Sequence, residues 1–109
     1  MATGMDLERI ALSLEGTVAC PHFDRTAFKV VRTYVTLAAD GKSANVKFTP
    51  DQQAFKCMMA PDAFTTIPNG WGRMGWTRVE LSNVGDAELQ AALEMAWELG
   101  RAKPRPRRG

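Results

Sequence analysis

The only histidine of this chain, His22, stands two residues after Cys20. On an extended segment that spacing puts both side chains on one face, as a thiolate nucleophile and its base would require. No third residue stands out to orient the imidazole, so a packed thiol beside a hydrogen-bonded ring is the simpler account. Metal chemistry has even less to work with. One histidine, with cysteines only at positions 20 and 57, offers neither a CxxC pair nor a zinc-type spacing. The acids are scattered over solvent-facing helical positions, which leaves no carboxylate pair for acid–base work. Gly70, Gly72 and Gly75 do not follow a strand and open a helix, so the phosphate-loop and dinucleotide fingerprints fail. The expectation is a protein that is not an enzyme and carries neither cofactor nor metal.

Binding chemistry is better represented. Residues 69–81 put Trp71, Trp76, Arg73 and Arg78 among three glycines, in a loop that runs into an alternating segment. If Phe28, Val30, Val35, Leu37, Val46, Phe48, Val79 and Leu81 face the core, the other face of a sheet collects Lys29, Tyr34, Thr36, Asn45, Lys47, Trp76 and Arg78. Basic groups attract phosphates and flat aromatics stack on bases, the logic of a nucleic-acid platform. The plainer alternative is a solvated face whose long basic stems cover tryptophan. Trp71 is then a plug that pins the corner of the loop, and Trp97 a core residue of the last helix.

Charge supports a basic centre. The net charge of +2 conceals +5 in residues 101–109, +4 in residues 25–80, −3 in residues 1–24 and −4 in residues 81–100. The middle of the chain is basic and its flanks are acidic, a contrast that the overall pI hides. At 109 residues the chain supports one core, assigned here to residues 1–100, with residues 101–109 read as a disordered basic tail. No apolar run approaches the roughly 20 residues of a membrane span. With no secretory signal visible and two cysteines read as reduced thiols, a cytosolic monomer that does not engage membranes is expected.

The elements that would position these groups follow from local signals. Thr3 with Asp6 reads as a helix start, and Leu7, Ile10, Ala11 and Leu14 form one apolar stripe ended by Gly16. Four short strands follow over residues 17–20, 27–31, 34–38 and 43–48, with Pro21 stopping the first and Asp40-Gly41 turning the third into the fourth. Thr49-Pro50-Asp51-Gln52 opens a short helix whose apolar side is Phe55, Met58 and Met59. Residues 64–67 and 76–81 are extended. Asp86 caps a last helix with Leu89, Ala92, Leu93, Ala96 and Trp97 inward, ended by Gly100. The order α-β-β-β-β-α-β-β-α describes an α+β antiparallel sheet with the N- and C-terminal helices packed on one face.

Three motifs, in this order and spacing, resemble the MmcQ/YjbR family. They are Pro21-His22-Phe23-Asp24-Arg25-Thr26-Ala27-Phe28, the Asp40-Gly41 turn followed by Ala44-Asn45-Val46-Lys47, and Gly70-Trp71-Gly72-Arg73-Met74-Gly75-Trp76-Thr77. The likeness spans roughly residues 6–100. It implies a frataxin-like (CyaY-like) α+β fold and the family's description as DNA-binding proteins with a double wing of strands. Its motif positions in this chain are His22 and Arg25, Asn45 and Lys47, and the loop 70–77, none with an established catalytic role. The combined expectation is a small module that binds DNA weakly through Lys29, Asn45, Lys47, Trp71, Arg73, Trp76, Arg78, His22 and Arg25. The alternative is a small-molecule or protein-interaction domain with a pocket between the turn at 21–25 and the loop at 71–76.

Overall fold

The computed structural model describes residues 1–102. Helix α1 (Gly4–Ser13) starts on a reciprocal cap: the Thr3 hydroxyl accepts from the Asp6 N–H, and the Asp6 carboxylate accepts from the Thr3 N–H. Strands β1 (Val18–His22), β2 (Arg25–Lys29), β3 (Thr33–Leu37) and β4 (Ser43–Lys47) follow. Helix α2 (Pro50–Met59) opens on the same kind of cap, Thr49 with Gln52, and Pro50 sits where no N–H is needed. Strand β5 (Phe64–Thr66), the one-turn helix α3 (Gly70–Arg73), strand β6 (Trp76–Glu80) and helix α4 (Asp86–Arg101) complete the domain.

The six strands form one antiparallel sheet in the order β1-β2-β3-β4-β6-β5. Alternation along the strands sends Phe28, Val35, Ala44, Val46 and Val79 to one face, where all are fully or almost fully buried. Helix α4 covers that face through Leu89, Ala92, Leu93 and Ala96, and α1 packs beside it through Leu7, Ile10 and Ala11. Burying each such large side chain is worth about 1.5–3 kcal/mol, so this layer supplies most of the folding drive. Among the described residues, no helix layer covers the other face. The expected α+β architecture, with both terminal helices on one face, is the one observed.

Several local expectations change. Tyr34, expected on the open face, is fully buried on the helix side. The register between β2 and β3 shifts at Phe28/Lys29, so β3 carries an extra residue there. That bulge turns Tyr34 and Val35 inward together. The Tyr34 hydroxyl donates to the Ala11 carbonyl and pairs with the Thr17 hydroxyl at 2.8 Å. Burial raises its pKa, which the Thr17 hydrogen bond partly offsets.

Pro21 does not end β1: the strand runs to His22 because β1 is an edge strand, where a missing N–H costs no ladder bond. Phe55, Met58 and Met59 are exposed, not the docked side of α2. That helix leans on the β5 edge through Cys57, Ala60 and Lys56, whose ammonium lies over the Phe64 ring. The N-cap of α4 is Gly85, with Asp86 the first helical residue. Gly100 lies within α4, not after it. A Cβ there would stand 3.1 Å from both Tyr34 Cβ and the Arg32 carbonyl, so it permits close packing of the helix on β3. Arg101 is the last residue of α4, and the expected basic tail beyond it, residues 103–109, lies outside the described residues.

Candidate functional site

The open face of the sheet holds a cleft of about 320 Å³. Its floor is the cross-strand pair Thr36 and Asn45, at the centre of the sheet where β3 meets β4. One wall is the β1–β2 hairpin, whose last paired residues are His22 and Arg25. The other is the segment from Ile67 through Asn69 and Trp71 to Trp76.

Each wall has a physical reason to stand where it does. Arg25 lies across the floor, its Nε donating to the Thr36 hydroxyl at 2.9 Å and its Nη2 to the Thr36 carbonyl at 3.1 Å. This two-point attachment fixes the guanidinium plane. The opposite wall is set by close backbone packing. A Cβ on Gly72 would overlap the Ile67 carbonyl, and one on Gly75 would overlap the Phe48 carbonyl. Gly75 also has φ +106°. The glycines therefore hold the corner, and Trp71 is left 59% exposed, which does not fit the alternative of a plug. Asn69 Oδ1 accepts the Trp71 N–H at 2.8 Å and starts α3.

Gln53 ties this wall to the domain. Its amide nitrogen donates to the Gly72 carbonyl at 2.9 Å and the Trp76 carbonyl at 3.0 Å, one at each end of the α3 corner. It is the only buried residue of α2. A glutamine on a helix is ordinarily a solvent residue, so residue type alone gives no reason to place it inward. Its neighbours Gln52 and Ala54 carry no signal of that contact.

Electrostatically the face is moderately positive. Burial holds the Arg25 guanidinium below its ordinary range, with nearby Arg78 adding to the depression against Asp24 and Asp40. It remains charged, as arginine does in proteins. Lys47 is likewise held low, first by burial and then by Arg32. Both are cations short of solvent that a bound anion would relieve.

Of the nine expected positions, His22, Arg25, Asn45, Trp71 and Trp76 meet in this cleft. Lys47 pairs directly with Trp76 across β4 and β6, on the same face at the cleft border. Lys29 shares the face, but β3 separates its strand from that of Lys47. Arg78 neighbours Asn45 yet turns to Glu80, with both Nε and Nη2 on one carboxylate oxygen at 2.9 and 2.7 Å. Arg73 sits at the end of α3, exposed and outside the cleft. Thr36, Ile67 and Asn69 complete the lining, although none was among those nine. His22 packs edge-on against Phe23, their ring centroids 5.0 Å apart.

Among protein families, the model described as YjbR matches residues 12–99. Among solved structures, the Deinococcus radiodurans protein DR2400, a DUF419-domain protein, shares the fold with a TM-score of 0.77. That likeness covers 91% of this chain and 78% of the other at 20% identity, and so bears on fold alone. No curated protein matches. The family match takes in the hairpin, the floor and the glycine-rich corner alike, and the chain belongs to the YjbR family.

Proposed function

We propose that this protein is a non-catalytic binding module that takes nucleic acid weakly on the open face of its sheet, with the cleft as the centre of contact. The observation that carries the proposal is the convergence of His22, Arg25, Asn45, Trp71 and Trp76, from the five elements β1, β2, β4, α3 and β6, on one cleft. Indole rings, a fixed guanidinium and an amide side by side suit a ligand that is flat, polar at its edge and negatively charged. Lys47 and Lys29 extend the positive charge along the same face. Binding is weak because Arg78 is occupied by Glu80 and Arg25 spends two donors on Thr36.

The test is DNA binding by the full chain, titrated with salt, beside a variant with Lys103, Arg105, Arg107 and Arg108 changed to Gln. The variant is expected to keep most of the affinity. If it binds nothing even at low salt, the sheet face is not the site.

A second reading is carried by the size of the cleft. About 320 Å³ falls at the small end of ligand pockets, roughly 300–1,000 Å³, and suits one small aromatic metabolite. A metabolite that raises the melting temperature, with the effect lost in Trp71→Ala, would favour it. The non-catalytic assignment rests on the chemistry of Cys20 and His22, since the imidazole packs on Phe23 with no orienting side-chain partner among the described residues. Any turnover abolished by His22→Ala or Cys20→Ala would overturn it.

A further inference from the structure

Building on the nucleic-acid reading, we infer that the ligand is a single strand, one of whose bases enters the cleft and stacks on Trp71, and that the site discriminates against duplex. Shape comes first. Proteins read duplex grooves by pushing a helix or a two-stranded ribbon into them. This site is concave. It receives a protruding group, and a base turned out of a single strand is one.

The β1–β2 hairpin, the two-stranded ribbon beside the cleft, carries at its tip an acid, Asp24, and an apolar ring, Phe23. Groove entry along phosphates would call for basic groups there. The rims are instead suited to a base. Trp71 is 59% exposed on one side and Phe23 is 95% exposed on the other. Phe23 has φ +57° and Asn69 φ +151°, the two non-glycine residues with positive φ among the described residues. Asn69 lines the cleft, and Phe23 adjoins His22 on the wall across from it. At Phe23 the positive φ belongs to the two-residue hairpin turn between His22 and Arg25, which fixes the backbone that carries the ring. Within the cleft, Arg25 has an Nη1 not engaged by Thr36, and Asn45 offers an amide, so a base edge meets both donors and an acceptor.

Few cations are free, so stacking contributes more than counterion release. With two or three phosphates contacted, the slope of log affinity against log salt is about −1.4 to −2 for a single strand.

The experiment is a fluorescence-anisotropy titration of the full chain and the tail-neutral variant with a labelled twelve-residue oligothymidylate and a blunt duplex of equal length. Thymidine monophosphate competes in a third arm, and Trp71→Ala and Trp71→Phe are run alongside. Trp71 is exposed, so both variants should fold, and melting curves check this. The expected result is single strand bound at least ten-fold tighter than duplex. Trp71→Ala should lose about ten-fold, within the range of one base stacked on an aromatic ring, and Trp71→Phe should recover most of that. Duplex bound as well as single strand, or an unaffected Trp71→Ala, overturns the inference while leaving nucleic-acid binding in place. Monophosphate bound as tightly as the oligonucleotide also overturns it, in favour of a small ligand. No binding of either DNA by the tail-neutral variant removes the nucleic-acid reading itself.

Discussion

Replacing Gln53 should loosen the domain and the cleft together. Its amide nitrogen faces the Gly72 and Trp76 carbonyls, at 2.9 and 3.0 Å. In Gln53→Met the side-chain volume is kept and both hydrogen bonds are lost. Leaving a buried acceptor without its partner costs about 1–3 kcal/mol. Each carbonyl keeps one backbone donor, Gly75 N–H at 3.0 Å for Gly72 and Ile67 N–H at 3.4 Å for Trp76. The cost per carbonyl therefore falls near the bottom of that range, about 1–1.5 kcal/mol, or about 2–3 kcal/mol for the two. For a domain of this size that lowers the melting temperature by roughly 10–20 °C. Gln53→Glu adds a charge aimed at two carbonyl dipoles, so it is worse than Met at neutral pH. Protonation restores a donor, which raises the folded-state pKa of the introduced carboxyl group above its ordinary value of about 4.3. A raised pKa gives stability that is full at low pH and lost as pH rises through the folded value. The melting temperature of Gln53→Glu relative to Gln53→Met should thus increase on acidification, followed by circular dichroism from pH 7 to 4. Melting of both variants within about 2 °C of the parent would refute the assignment of Gln53 as the tie between α2 and the α3 corner.

Three further outcomes follow from the same structure. Tyr34→Phe removes a hydroxyl bonded to Ala11 and Thr17 and should cost about 1–2 kcal/mol in urea denaturation with an unchanged m-value. Gly75→Ala should cost about 1–3 kcal/mol for its positive φ alone, and more for overlap with Phe48; Gly70→Ala, which meets nothing within 4 Å, should change stability by less than about 1 kcal/mol. Asp6 has its pKa lowered below 3.8, first by the Thr3 N–H and then by Arg9 and the Thr3 hydroxyl. A depressed pKa gives stability that is present above 3.8 and lost as pH falls through the folded value, so Asp6→Asn should flatten acid unfolding in that window, read by circular dichroism of α1.

Much of the cleft was legible in the chain. His22, Arg25, Asn45, Trp71 and Trp76 were all expected positions, and the hairpin and corner that carry them were placed as turn and loop. What misled was the choice of side at single residues. Tyr34 moved inward because a one-residue bulge reverses the side on which the residues of a strand fall. Arg78 belonged to the open face as expected, yet its charge is taken by Glu80 two residues on. Same-face spacing on a strand predicts that proximity but not whether the pair closes. In the plainer alternative Trp71 is a plug, because tryptophan is costly to expose. Gly72 and Gly75 perform the packing instead, by letting backbone approach backbone.

Alone, the amino-acid sequence determined what depends on neighbours within about four residues. The Thr3 and Thr49 caps, the Asp40-Gly41 turn, the alternation of β4 and β6 and the apolar stripes of α1 and α4 are all of this kind. Their energies come from local hydrogen bonds and from the period of the backbone. Tertiary structure decided the insertion of β6 between β4 and β5, the bulge that buries Tyr34, the side of α2 that docks, and the meeting of residues 22 and 76 across the sheet. Those depend on which of several locally equivalent pairings buries most apolar surface and leaves no buried polar group unpaired, a balance struck over the whole domain.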